Sequence, residues 1–303
     1  MSRASIIVAA HVRDTERLPD LQSWFHALCN QSLPADDYEV IVVDGSYEAD
    51  YDLALARFRA EKEVRAQISC HRIECAGRAR ALNYALEYAT GELIIFLADD
   101  CLPSAGFAEA HVHFHEEHPE PAAVGISSAM LPPEYRNAFS VWLEQSGELF
   151  GVPFRADMVA VPDDFFYVAN ASVKRELLER AGRFDERFVH HAFDDVEFGF
   201  RLRAAGMRSR FIPEACVSHV HDINLRGRER AVREAGAAAK TYFSNHPEKK
   251  RWLWLPTWPC WFHRWRVASA GIWLAAAGTV RAQSTWWRAR LDAAFAEGYH
   301  KGV

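Results

Sequence analysis

Three groups of residues in this chain have types and spacings able to do chemistry, and carboxylates lead two of them. The first is Asp99-Asp100, which follows the apolar run ELIIFL at residues 92–97 after the single residue Ala98. Adjacent acids at the mouth of a buried strand repel each other unless a cation or solvent screens them. A hard divalent ion such as Mg²⁺ or Mn²⁺ suits that place, since it is held by a few carboxylates together with substrate phosphates. A diphosphate bridged by such an ion is neutralised as it leaves. Taken alone, a solvated turn is the favoured account of the pair.

The second group is Asp194, Asp195 and Glu197, after His190-His191-Ala-Phe. The helix dipole favours an acid in a first helical turn, so capping accounts for one of the three. Three acids within four residues exceed that need. One of them, held ionised, could take a proton from an attacking hydroxyl. The third group is His219 and His221 in VSHVHD, residues 217–222. Two residues apart on a strand, they share a face, and a neutral imidazole there could complete a metal's coordination shell. An ordinary surface or core histidine is the plainer account.

The elements that must position these groups follow from hydrophobic spacing. Residues 5–10 (SIIVAA) and 38–44 (YEVIVVD) read as buried strands, the second ending in Asp44. Between them, Leu18, Leu21, Trp24, Phe25 and Leu28 recur at helical spacing. Residues 52–62 read as a second helix, 67–73 as a third strand and 77–90 as a third helix, with Gly91 as its left-handed cap. Residues 92–97 form the fourth strand. Further on, 166–173 read as extended, 174–181 and 194–205 as helices, and 208–212 and 215–219 as extended. Alternating strands and helices imply right-handed crossovers and a mostly parallel sheet, the Rossmann-like α/β class. Ligands of such sheets bind beyond the carboxyl ends of the strands, where Asp44, Asp99 and Asp100 are expected.

Composition is ordinary for a folded chain of 303 residues, and six scattered cysteines form no CxxC pair. That pattern favours a reducing cytoplasm over a disulfide framework or zinc knuckle. The short apolar run at the start soon meets His11, Arg13 and Asp14, which reads as a first strand and not as a secretory leader. The net charge of −6 conceals a division: residues 226–290 carry thirteen Lys/Arg against three Glu. Eight of the ten tryptophans also lie beyond residue 250. Residues 226–242 read as a basic helix. Residues 251–266 (RWLWLPTWPCWFHRWR) mix Trp with Arg, and 267–280 are apolar but shorter than the ~20 residues that span a bilayer. A membrane surface, the protein's own core or a dimer interface could receive these tryptophans. His111, His113, His115 and His118 are expected on an exposed, solvated helix face.

Taken in order, SIIVAAHVRD, YEVIVVDGS, GRARALNYALEYATGELIIFLADDCLP, YVANASVKRELLERAGRFDERF and HHAFDDVEFGFRLRAAGMRSRFIPEACVSHVH resemble the family 2 glycosyltransferases, which have the GT-A fold. The resemblance covers residues 4–222. It implies that Ala9, Ala10, His11 and Asp44 hold the nucleobase and ribose, and that Gly77, Arg78, Arg80 and Asn83 run along the nucleotide. It implies that Asp99 also faces the donor, that Asp100 is the last acid of the DxD metal motif, and that His219 is a metal-binding histidine. Asp195 matches the catalytic base, while Asp194 and Asn170 fall on the acceptor side. Ala98 stands where the first DxD acid is usual, Asp44-Gly-Ser where Asp-Asp-Gly-Ser is common, and Ala-Ala-His-Val where Pro-Thr-Tyr-Asn is usual.

The resemblance further implies a nucleotide-sugar donor, UDP-linked by family default, a saccharide or lipid-linked acceptor, a Mn²⁺ or Mg²⁺ cofactor, and inversion at the anomeric carbon. Residues 1–225 are expected to form the catalytic domain, with a nucleotide half at 1–103 and an acceptor half at 104–225. Residues 226–303 would form a helical, Trp-rich extension, with the protein cytoplasmic or peripheral at the inner face of the cell membrane. Two other classes compete. A nucleotidyltransferase of related topology would need a Gly-rich loop after the first strand, and residues 9–14 (AAHVRD) have no glycine. A non-catalytic nucleotide-sugar-binding module is kept open by Ala98. Nucleic acid is not expected, because the body of the chain is acidic.

Overall fold

A computed structural model describes residues 3–10, 21–45, 51–61, 64, 66–74, 77–149, 166–190, 192–220, 222–248 and 258–303. His11, His191 and His221, together with Trp252 and Trp254, lie outside these residues.

Strands β1 (Ala4–Ala10), β2 (Tyr38–Asp44), β3 (Gln67–Arg72) and β4 (Leu93–Leu97) are joined through helices α1 (Leu21–Cys29), α2 (Tyr51–Glu61) and α3 (Arg78–Tyr88). All four run parallel, in the order β3-β2-β1-β4. Every residue of β1, β2 and β4 is buried, as expected for a parallel sheet covered on both faces. The strand period of two divides the core. Ile6 and Val8 pack with Trp24 and Phe25 of α1, whereas Ile7 packs with Ala81 and Leu82 of α3.

The sheet continues through β8 (Asn170–Lys174), β6 (Ala123–Ile126) and β9 (Arg208–Phe211). Strand β8 is antiparallel to both β4 and β6. It begins at Asn170, so the extended run expected over 166–173 is a shorter strand. A small second sheet joins β5 (Cys101–Pro103), β7 (Ala129–Met130) and β10 (Val217–His219), with β10 antiparallel to β5. Helices α4 (Phe107–Glu117), α5 (Ala138–Ser146), α6 (Arg175–Ala181) and α7 (Asp194–Ala204) complete the body, and α8 (Leu225–Asn245), α9 (Cys260–Ala277) and α10 (Val280–Lys301) follow it.

Two local expectations are corrected. Helix α3 ends at Tyr88 with Ala89 as cap at φ −64°, so Gly91 is not a left-handed cap. Gly91 is needed for close approach instead, because a Cβ there would lie 2.7 Å from the backbone of Ala4 and Ser5. The histidines of α4 do not form one solvated face. His113 is exposed, but His111 is fully buried and His115 nearly so, both turned toward β8. Ser172 Oγ lies 2.9 Å from both His111 Nδ1 and His115 Nε2, and Asn170 Oδ1 lies 3.0 Å from His111 Nε2. The i,i+4 spacing puts both rings on the packed side, where the strand's hydroxyl and amide meet both nitrogens of His111 and the Nε2 of His115, while His115 Nδ1 has no partner among the described residues.

Burial, the leading cause in each, pushes His111 down from 6.5 to about 4 and His115 to about 3. The folded state therefore binds fewer protons than the unfolded chain as pH drops below 6.5. Stability is expected to be full above that pH and to fall progressively toward pH 3–4. Urea midpoints across this window would show the slope, and His115→Gln should flatten it. A profile with no such slope would exclude the two rings as its source.

Candidate active site

The carboxyl ends of β1, β2 and β4 share one edge of the sheet. Ala10 pairs with Asp44 across β1 and β2, and Gly45 N donates to Ala10 O at 2.9 Å. Ala9, Ala10 and Asp44 are all buried at this edge. Their neighbour Tyr51 opens α2, fully buried, with its ring edge-on to Trp24 at 5.8 Å. The Tyr51 hydroxyl has no hydrogen-bond partner among the described residues. Its pKa is pushed far up, first by burial and then by the negative charges of Asp99, Asp44 and Asp100. Negative charges at or beyond the ends of β2 and β4 thus act together on one hydroxyl. Nothing in the sequence singles Tyr51 out, because its spacing with Leu55 and Phe58 reads as a core stripe.

Residues 98–101 form a turn closed by Cys101 N donating to Ala98 O at 3.2 Å. This turn carries Asp99 and Asp100 from β4 into β5. The second sheet then sets His219 opposite Cys101, and Val220 N donates to Asp100 O at 2.9 Å. Asp100 Oδ2 and His219 Nε2 are 3.0 Å apart. The two expected metal ligands, 119 residues apart in the chain, therefore meet.

Among the described residues, no group of three or more His, Cys, Asp or Glu side chains is gathered to hold a metal alone. The donors present still fit a hard ion that draws its remaining ligands from phosphates and water. At 3.0 Å the Asp100 carboxylate and the His219 imidazole contact each other directly, and a bound ion would take the place of that contact.

The second acid cluster opens α7. Phe193 occupies the cap position and makes no side-chain capping bond, and Asp195 Oδ1 accepts instead from the first-turn Val196 N at 2.9 Å, so one of the three acids serves the helix start. Glu197 is engaged by Arg201 one turn on, with Arg201 Nη2 donating to Oε2 at 2.7 Å. Asp194 is buried and receives two hydrogen bonds from Arg78, from Nε at 2.9 Å and from Nη2 at 2.5 Å. Arg78 Nη2 also donates to Asp195 Oδ2 at 3.0 Å. Arg78, expected along the nucleotide, here clamps the two acids. Burial pushes the Asp195 carboxyl up, Arg78 pulls it down, and Asp194 adds to the rise; the balance is upward. A raised carboxyl is closer to the range in which a general base works near neutrality.

Local strain holds this arrangement. Ala192 and Phe193 both have positive φ, 74° and 66°, which is costly for residues with a Cβ. The Phe193 ring is held among Tyr242 of α8 at 5.3 Å, Phe243 at 6.4 Å and Phe295 of α10 at 6.4 Å. Gly77, just before Arg78, has φ +108°, and a Cβ there would lie 2.6 Å from Phe188 O. Gly77→Ala is therefore expected to cost roughly 1–3 kcal/mol from backbone strain. It should also push Arg78 away from the acids, lowering both the melting temperature and kcat. Wild-type values for both would remove Gly77 from the site.

Two other expected residues sit differently. The Asn83 amide is committed to the 184–186 segment, donating to Phe184 O and Glu186 Oε1 at 2.9 Å and accepting from Phe184 N. It braces that segment. Asn170, expected on the acceptor side, is fully enclosed, donating to Ser128 O and Ala215 O and facing His111. Arg80 lies on the exposed side of α3.

Residues 5–180 match the family model described as glycosyl transferase family 2, and residues 93–289 that described as glycosyl transferase family group 2. An uncharacterized glycosyltransferase of Bacillus subtilis, YfnE, is 24% identical over 264 residues, 69% of this chain and 62% of its own. The pre-mycofactocin glycosyltransferase of Mycobacterium tuberculosis is 29% identical over 184 residues, 59% of this chain and 37% of its own. The chain thus spans less than two thirds of either relative. Among solved structures, the mannosyltransferase PcManGT from Pyrobaculum calidifontis, in complex with GDP-Man and Mn²⁺, aligns with a TM-score of 0.62 at 21% identity. The alignment covers 99% of this chain and 88% of that one. S. aureus TarS 1–349 in complex with UDP aligns at 0.58 and 15% identity, covering 100% and 92%. At these identities the structures share the fold.

Proposed function

The chain belongs to glycosyl transferase family 2, and from that premise we propose that it moves a sugar from a nucleotide-diphosphate donor, UDP-linked by preference, to an acceptor hydroxyl with inversion. The observation that carries this reading is the meeting of Asp100 with His219, beside Asp99 and Asp44, at the carboxyl edge of the parallel sheet.

In the proposed reaction, Asp195 accepts the proton of the acceptor hydroxyl. The acceptor oxygen forms its bond to the anomeric carbon from one face. The bond to the phosphate oxygen breaks on the other, and its electron pair leaves with the nucleotide diphosphate. Arg78 holds the Asp195 carboxylate in place and, with Asp194, sets its basicity. A divalent cation on Asp100 and His219 would neutralise the departing diphosphate. Ala9, Ala10, Asp44 and Asp99 would line the nucleotide, with His11, Gly77 and Arg80 alongside.

The proposal divides the chain into a catalytic domain at 1–225 and an extension at 226–303. The acceptor would be a saccharide or lipid-linked saccharide of polysaccharide or glycolipid synthesis, met on the cytoplasmic side. Thermal shift with a panel of nucleotide sugars, with and without Mn²⁺, tests the donor reading. One nucleotide class should raise the melting temperature in Mn²⁺, and that donor should slowly release its nucleoside diphosphate. No shift with any nucleotide sugar would overturn the proposal.

A further inference from the structure

Helix α9 stands apart from the rest of the fold in what it shows to solvent. Its inner side packs on α10, burying His263 and Ala270, and Arg266 donates to Asp292 of α10 at 2.7 Å. Its outer side carries Trp261, Trp265, Ala268, Ile272, Ala275 and Ala276, positions that fall on one face at helical spacing. Trp261, Trp265 and Ile272 are 70%, 61% and 72% exposed. Scattered exposed apolar residues need no explanation, but a continuous row of this size marks a contact surface.

The chemistry along the row selects the partner. No acid occurs anywhere in α9, and the exposed Arg264 flanks the row. The first turn of α10, separated from the end of α9 by two residues, adds Val280, 79% exposed, and exposed Arg281. Tryptophan is favoured where one side is apolar and the other wet, and arginine is drawn to anionic headgroups. A two-fold contact with a second copy would bring the same positive flank against itself. No described helix is long and apolar enough to cross a membrane, so the helix would lie in the interface plane.

The fate of the other C-terminal tryptophans sharpens the assignment. Trp287 is buried against Phe139 and Trp142 of α5, and Trp286 stacks with Arg290. The protein's own core therefore claims Trp286 and Trp287 on α10 and leaves the α9 row outward. We infer that the outer face of α9 docks the protein on an anionic lipid surface, with Trp261, Trp265 and Ile272 in the headgroup–acyl boundary and Arg264 and Arg281 on the headgroups.

Flotation of the full chain with phosphatidylcholine vesicles, with and without phosphatidylglycerol, tests this. The wild-type protein should float with the anionic vesicles, less with neutral ones, and less again at high salt. Trp261→Ser with Trp265→Ser should lower the partition coefficient roughly tenfold or more, since both rings lose apolar burial. Arg264→Glu should lower binding to anionic vesicles selectively. Unchanged melting temperatures for these exposed substitutions would separate lost docking from lost folding. The inference is overturned if the wild-type protein floats with neither vesicle, or if the double variant floats as well as wild type. It is also overturned if sedimentation velocity finds a dimer that the double variant converts to monomer while neither floats.

Discussion

Asp195→Asn is expected to lower kcat by roughly 10²- to 10⁴-fold, the range that a positioned general base supplies. Donor binding should survive, because the amide keeps the shape of the side chain and Asp195 is proposed to act on the acceptor. The pH profile gives a second readout. The base must be ionised to act, so the rate should rise with pH along one limb. Burial lifts the Asp195 carboxyl, so the inflection should sit above the ordinary carboxylate range. Arg78 opposes that rise, and Arg78→Met should therefore move the limb to higher pH. A substitution that merely loosened the fold would lower the rate at every pH without displacing the limb. An active Asp195→Asn enzyme that keeps the limb would refute the assignment.

Asp100→Ala should weaken donor binding in Mn²⁺ by roughly 10- to 100-fold, on the scale that metal-site substitutions reach. Calorimetry of the donor with and without Mn²⁺ is the direct measurement. The wild-type protein should bind the donor more tightly with the ion, and the variant should bind it equally weakly with and without. His219→Ala should reproduce much of this loss, since the imidazole stands 3.0 Å from the carboxylate. Asp99→Ala should weaken the donor while leaving the Mn²⁺ effect in place. If Asp100→Ala retained a full Mn²⁺ enhancement, the ion would have to be held elsewhere.

The tail shows how one compositional signal can have two physical outcomes. Its tryptophans were open to a core, a dimer interface or a membrane surface. The α10 pair packs on α5, whereas the α9 row faces solvent. A helix that packs on its neighbour through one side only must leave its other side to water or to a partner. Near Asp195, α8 and α10 hold the Phe193 ring between them. The extension thus touches the segment that aims the proposed base, which residue order gave no reason to expect.

Chain order by itself determined the α/β alternation and the location of Asp44, Asp99 and Asp100 at strand ends. Those features are written locally, in runs of apolar residues and in the acids that follow them. Pairing between distant segments was decided only by the tertiary structure. Arg78 reaches Asp194 across 116 residues, and negative charges at or beyond the ends of two strands act on Tyr51. Which face of α4 turned inward depended on Ser172, a hydroxyl far along the chain, so His111 and His115 could not be read as buried. Periodicity reports how a segment divides between apolar and wet. The identity of the polar group that waits on the other side is a property of the assembled fold.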